Sequence, residues 1–305
     1  MITRRSFLAS AVGAGAGLVL VACGSNDDGG ADGGAAVDDT TDDGGTADGG
    51  GTTPSGVFDL VRRFPTTALV PGMVRMPISL GRDGQALTDG PDELTGQIVD
   101  ESGAVLVDGL TATKRSEGLP HAYWPFVADV PTTGIYTLLV DGAAPQGAAF
   151  QVNDPSTVAI PLVGDPLPPF DTPTVDDARG VDPICTQEPP CPLHDVTLTE
   201  ALASGKPVAY LVGTPAYCQT GVCGPILELL LELREEFGNE MTFLHAEIYS
   251  DETLKETSPA VQAYQLDFEP LLFVADATGT LVARLDAVFD KSEMRDAIEL
   301  ALAGG

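Results

Sequence analysis

Basic residues are scarce in this chain. Its 15 Lys and Arg stand against 45 Asp and Glu, giving a formal net charge of −30 over 305 residues. A surface so negative repels phosphate, which excludes nucleic acid as the expected partner. Aromatic bulk is also thin, with one Trp, six Tyr and eleven Phe, yet a hydrophobic content of 43% is enough to build a core. Long apolar runs are missing: the stretch from Ala9 to Ala22 is too short for a permanent bilayer span. There is no phosphate-cradling glycine loop, no serine nucleophile elbow and no paired His-Glu metal motif. The length points to about two domains.

What is present begins with an address. Thr3-Arg4-Arg5-Ser6-Phe7-Leu8 resembles a twin-arginine export signal, and Leu20-Val21-Ala22-Cys23 resembles the bacterial lipobox. The resemblance implies that residues 1–23 are a signal, that cleavage precedes Cys23, and that this thiol receives lipid. An uncleaved anchor with an ordinary cysteine is the alternative. The mature chain is then expected on the extracytoplasmic face of the cell membrane, touching it by lipid anchor only, where disulfides persist. Residues 24–56 contain eight Asp, many Gly and no aliphatic residue larger than Val37. Such a segment cannot bury enough apolar surface to offset its ordering entropy, so a disordered tether is expected.

Over residues 57–160 short apolar runs alternate with turn formers. Expected strands are Met73–Leu80, Leu94–Asp100, Ala104–Val107, Tyr123–Val130, Ile135–Asp141 and Ala148–Val152. This pattern predicts an all-β sandwich. Gly134-Ile135-Tyr136 resembles the corner tyrosine of immunoglobulin-like domains, and Tyr123-Trp124-Pro125-Phe126 reads as a core-facing aromatic cluster, with a sticky exposed edge as the alternative.

Residues 161–193 are rich in proline and predict an extended, semi-rigid connector. They carry Cys185 and Cys191, separated by Thr-Gln-Glu-Pro-Pro. In an exported protein a structural disulfide between those two is the expectation.

Residues 194–305 alternate apolar runs with helical patterns, which predicts an α/β layer structure. Thr197-Leu-Thr-Glu200 has capping-box spacing. Pro207–Gly213 reads as a buried strand, and Pro225 fits the first position of a helix burying Ile226, Leu230, Leu233 and Phe237. Met241–Ile248 follows as a strand, then a helix from Pro259 to about Leu266, a hairpin of Leu271–Ala275 with Leu281–Leu285, and a closing helix from Ser292 to Leu302. The order is β-α-β-α-β-β-α.

That order, with a cysteine after the first strand and a proline opening the third, resembles the thioredoxin fold over about residues 195–303. The resemblance is carried by Ala209-Tyr-Leu-Val-Gly-Thr-Pro-Ala-Tyr217-Cys218, by Pro225-Ile-Leu-Glu-Leu, and by Glu269-Pro270-Leu-Leu-Phe-Val. The Thr-Pro-Ala-x-Cys-Gln-Thr-x-x-Cys-Gly-Pro pattern is also similar to that of bacterial thioredoxin-like lipoproteins. Thioredoxins separate their cysteines by two residues, whereas Cys218 and Cys223 are separated by four, and Ile226 stands where the second cysteine belongs. The resemblance implies Cys218 as the attacking thiol, preceded by the aromatic Tyr217, Cys223 as the resolving thiol, Pro270 as a cis-proline, and Glu269 as an acid beside the thiols. Partners would be extracytoplasmic protein thiols or disulfides, with no cofactor.

A reactive cysteine needs a stabilised thiolate, access to solvent and a resolving partner. Cys218 and Cys223 lie in one loop just ahead of a helix, so a reversible disulfide, a static bridge and a metal site all stay open. The four cysteines lack the tight knuckles of zinc ribbons. Copper is better motivated, because Cys218 and Cys223 with His245 resemble the two-thiolate, one-imidazole set of copper chaperones for respiratory oxidase assembly. His245 lies within a predicted strand and reads first as a packed core residue; His121 and His194 have no motif around them. The resemblance makes Glu247 and Glu269 candidates for the buried acid that takes a proton near the thiols; a solvated acid is the alternative for each, and the preferred reading for Glu247. Thr214 lies four residues before Cys218, one more than the peroxiredoxin spacing.

Overall fold

The computed structural model describes residues 58–304. The export signal, Cys23 and the tether expected within 1–56 lie outside the described residues. The first half of the described chain is antiparallel β-structure: β1 Asp59–Arg62, β2 Gly72–Arg82, β3 Gln85–Ala86, β4 Glu93–Asp100, β5 Val105–Thr113, β6 Trp124–Val130, β7 Gly134–Val140 and β8 Ala148–Val152. One sheet runs β1-β2-β3 with β6 also paired to β2, and the other runs β5-β4-β7-β8. Every second residue of β2, namely Val74, Met76, Ile78 and Leu80, packs into one core with Ile98, Phe126, Leu138 and Phe150. β5 outruns its expected end at Val107. Gly109 takes φ +66 and the register with β4 shifts between Gly96 and Ile98, so a bulge absorbs Asp108-Gly109 and pairing continues. The short β1 and β3 were not read from the sequence, being four and two residues long.

The second half contains α1 Leu198–Ala203, β9 Val208–Val212, α2 Cys223–Phe237, β10 Thr242–Ala246, α3 Pro259–Tyr264, β11 Leu271–Ala275, β12 Leu281–Asp286 and α4 Lys291–Ala303. Its sheet runs β10-β9-β11-β12, with β10 parallel to β9 and β11 antiparallel to both β9 and β12. This is the strand order and connectivity of the thioredoxin fold. β9 and β11 are buried throughout, as strands covered on both faces must be. Ala209, Leu211, Leu272 and Val274 meet α2 and α4, while Val208, Tyr210, Val212, Leu271 and Phe273 meet α1 and α3.

Local chemistry sets the helix starts. Thr197 Oγ1 accepts the Glu200 amide at 3.1 Å and Glu200 Oε2 accepts the Thr197 amide at 2.8 Å, the reciprocal pair expected at the head of α1. α2 begins at Cys223, two residues before the expected start at Pro225. The amides of a helix's first turn have no intrahelical acceptor, so Pro225 is tolerated at the third position, and the Ile226 amide makes the first helical bond, to Val222 O at 2.9 Å.

The two halves are tied by buried charge. Arg75 of β2 grips Glu293 of α4 through Nε and Nη2, both at 2.7 Å, and Nη2 also donates to Val288 O at 2.6 Å. The Tyr123 hydroxyl donates to the same carboxylate. Tyr123 packs into the core beneath α2 and α4, while its neighbours Trp124 and Phe126 enter the sandwich core. Residues 158–197 contain no helix or strand and pack along the C-terminal half, burying Ile160, Leu167, Val181 and Leu193. The proline-rich connector is therefore laid onto the second half and does not act as a free spacer.

Candidate active site

Parallel strands β9 and β10 end at the same sheet edge, where the antiparallel β11 begins. The register pairs Leu271 with Val212, so Gly213 and Pro270 lie opposite each other just beyond it. The Glu269–Pro270 peptide is cis, as expected from its position at the head of the strand. A Cβ on Gly213 would stand a tight 3.2 Å from Pro270 Cβ and an ordinary 3.6 Å from Cys223 Cβ, so the missing side chain eases the approach of Pro270 to the strand end.

From Thr214 the chain crosses this edge and turns at Cys218–Gly221, where the Gly221 amide donates to Cys218 O at 3.1 Å. Gly221 holds φ +68, a conformation that side chains disfavour, and it sends the chain back so that Cys223 can open α2. Cys218 and Cys223 form a disulfide with Cα atoms 6.0 Å apart. The two sulfurs differ in access: Cys218 is half-buried and Cys223 is 2% exposed. The Cys223 amide, first in the helix, points at Cys218 Sγ across 3.4 Å, and Thr220 Oγ1 lies 3.3 Å from the same sulfur. A thiolate on Cys218 therefore sits in the field of the α2 amides.

Glu269 stands over the pair. Its Oε2 accepts the Thr214 amide at 2.7 Å and lies 3.6 Å from Cys223 Sγ. Burial, reinforced by the Glu247 charge, raises this carboxyl to about 7, against the lowering effects of the Thr214 amide and His245. Tyr217 is half-buried with its ring edge-on to Tyr249 at 6.4 Å. Cys218 and Glu269 open onto a cleft of about 350 Å³ that is lined by Tyr249, Val261, Leu266 and Phe268.

The structure departs from the sequence reading at the other two cysteines. Cys185 and Cys191 are both buried and free, so the expected structural disulfide is not formed. Each sulfur faces an imidazole instead. Cys191 Sγ lies 3.3 Å from His194 Nε2 and 3.5 Å from His245 Nδ1, and Cys185 Sγ lies 3.8 Å from His245 Nδ1. The proposed copper set is corrected for the same reason: His245 turns toward Cys185 and Cys191, whereas Cys218 and Cys223 have Glu269 as their third neighbour. The hydrogen bond from the Cys191 thiol, aided by His194 and His245, holds Cys185 far below the usual thiol range despite its burial. Cys191 is held far above that range by the same bond and by burial beside the Cys185 charge.

Glu247 is not solvated. It is 2% exposed, and its Oε1 accepts from the amide and hydroxyl of Thr186 at 2.6 and 3.0 Å. Thr186 Oγ1 in turn accepts the Ala216 amide at 3.1 Å, which joins the connector to the loop that carries Cys218. Sequence reasoning passed over His194. The available signal was Cys191-Pro-Leu-His194, a ligand spacing of two residues that a search among cysteines alone does not see.

No protein-family model matches the chain, and no curated protein gives a match. Solved structures similar to it include a thioredoxin-family thiol:disulfide interchange protein from Chlorobium tepidum TLS, at 15% identity and TM-score 0.34 over 47% of this chain and 99% of that one. Another is the C-terminal domain of a protein from Bacteroides thetaiotaomicron named as a thiol-disulfide oxidoreductase, at 12% identity and TM-score 0.34 over 47% of this chain and 98% of that one. The sheet order and connections described above carry the thioredoxin-like fold independently of these likenesses.

Proposed function

We propose that this chain is a thiol-disulfide exchange protein held by lipid on the extracytoplasmic face of the membrane. The observation that supports the exchange reading best is the asymmetry of the Cys218–Cys223 bridge: one sulfur accessible under helix amides, the other buried against a carboxyl raised to about 7. In the reduced protein the Cys218 thiolate attacks one sulfur of a partner disulfide, forming a mixed disulfide and releasing the partner's other sulfur as thiolate. The Cys223 thiol gives its proton to ionised Glu269, and its sulfur attacks Cys218 Sγ. The Cys218–Cys223 bond forms, the mixed bond breaks, and the partner's second thiolate leaves with the electron pair. Run backwards, the same steps oxidise a partner dithiol. The cleft beside Cys218, floored by apolar side chains, is the seat for an extended segment of the partner.

The lipid anchor rests on the Leu20-Val21-Ala22-Cys23 pattern and export on Arg4-Arg5. The sandwich is assigned to the immunoglobulin-like class on Tyr136, whose hydroxyl reaches back to Thr132 O at 3.1 Å. Among the described residues no helix is long and apolar enough to cross a membrane.

Trapping tests the exchange reading. Cys223→Ser should accumulate partners disulfide-linked to Cys218, and Cys218→Ser should accumulate none. Failure of both variants to trap a partner would leave a static bridge.

A further inference from the structure

We propose that Cys185, Cys191, His194 and His245 form a tetrahedral zinc site, separate from the Cys218–Cys223 pair, which clamps the proline-rich connector to the edge of the C-terminal sheet. This inference does not depend on the exchange reading above. Cys185 and Cys191 come from the connector, His194 directly follows it, and His245 comes from β10, so the site joins segments more than fifty positions apart.

The donor set is already assembled. All four residues are buried, at 3%, 7%, 1% and 2% exposure, and one donor atom from each lies within 4.8 Å of all the others. A tetrahedral zinc with bonds of about 2.3 Å to sulfur and about 2.0 Å to nitrogen sets its sulfur and nitrogen ligands about 3.5 Å apart. Three of the four sulfur-to-nitrogen distances here are 3.3, 3.5 and 3.8 Å, and the fourth is within 4.8 Å.

His245 is oriented as a metal ligand is. His245 Nε2 donates to Gly213 O at 2.8 Å, which fixes the ring and leaves Nδ1 as the nitrogen that faces both sulfurs. His194 presents Nε2 to Cys191 Sγ at 3.3 Å from a ring that is 1% exposed. The spacing Cys191-x2-His194 is that of a zinc knuckle.

Charge and geometry select the ion. Two thiolates neutralise one divalent cation, whereas a monovalent copper would leave a net negative charge buried near Glu247, which is itself 2% exposed. A tetrahedral set of two sulfurs and two nitrogens is the arrangement zinc accepts without preference from its d electrons. All four positions are filled by protein, which makes the site structural and not catalytic.

The test uses the full chain and zinc chloride, with cobalt(II) as a spectroscopic probe. About one equivalent of zinc per chain should co-purify or be taken up, and the Cys218→Ser/Cys223→Ser double variant should retain it. Cobalt should give the intense visible bands of a tetrahedral ion together with thiolate charge transfer in the near ultraviolet. Bound zinc should shield Cys185 and Cys191 from alkylation. His194→Asn and Cys191→Ser should weaken binding by at least about tenfold. The cobalt spectrum and the alkylation map need no variant, so a chain that misfolds on substitution does not shield the proposal. Three results would each overturn it: no zinc uptake by the wild-type chain, peptide mapping that finds Cys185 bridged to Cys191, or metal that is lost from the double variant yet kept by Cys191→Ser.

Discussion

Cys223 Sγ lies 3.6 Å from Glu269 Oε2, the same oxygen that accepts the Thr214 amide. The carboxyl that could take the buried sulfur's proton is thereby fixed to the strand end that also carries the loop.

This contact predicts a pH profile. Glu269 is raised to about 7, chiefly by burial, so it is protonated below that pH and accepts a proton only above it. Resolution of a mixed disulfide by Cys223 should therefore accelerate as pH rises through about 7. Glu269→Gln should flatten that rise and slow the step on the order of 10²-fold. The sign for stability is opposite: a carboxyl whose folded pKa exceeds its unfolded value costs stability once ionised. Native stability should fall between pH 4.5 and about 7, and Glu269→Gln should remove that slope in urea unfolding.

A second prediction concerns the joint between the halves. Burial pushes Glu293 up, but the Arg75 charge and hydrogen bond outweigh it and hold the carboxyl below its ordinary value. Arg75→Ala leaves this carboxylate buried with only the Tyr123 hydroxyl and the more distant Arg115 charge, and should cost about 3–5 kcal/mol by urea unfolding. Arg75→Met with Glu293→Leu should recover most of that loss. The ion pair's contribution is present above the unfolded carboxylate value of 4.5 and is lost as pH falls below it, so Arg75→Ala should also blunt the acid sensitivity of the wild-type chain.

Gly213 gives a third. A Cβ there meets Pro270 Cβ at 3.2 Å, so Gly213→Val must push the proline or Cys223 away from the strand end. The expected cost is about 1–3 kcal/mol, with a slower resolving step measured by stopped-flow thiol exchange. An unchanged rate would show that close approach of Pro270 is not needed.

A fourth prediction is about anchoring, and rests on the lipobox resemblance. Cys23→Ala should release the chain from washed membranes into the soluble fraction. Retention of that variant in the membrane would contradict lipid attachment at Cys23.

Much of the fold was legible because it rests on local signals. The Thr197–Glu200 capping box, the uninterrupted apolar strands β9 and β11, and the stripe Ile226, Leu230, Leu233 each follow from propensity and period. The start of α2 was misplaced because Pro225 satisfies the third helical position as well as the first. Cys218, Cys223, Glu269 and Pro270 could be placed together because the fold's strand order brings their segments to one edge. The Cys185–Cys191 cluster could not. His245 reaches those sulfurs across 54 and 60 positions, and only the packed connector reveals the encounter. The burial of Glu247 was not legible locally because Thr186, which donates twice to its Oε1, is 61 positions away.

The most direct test of the exchange reading is a redox titration of the full chain. After equilibration in graded dithiol buffers, alkylation and peptide mass mapping follow Cys218 and Cys223 separately from Cys185 and Cys191. Cys218 and Cys223 should pass together and reversibly between bridge and dithiol, with a midpoint between about −270 and −120 mV, the range of exchange proteins. A bridge that stays closed below about −300 mV, as structural disulfides do, would contradict the proposed activity.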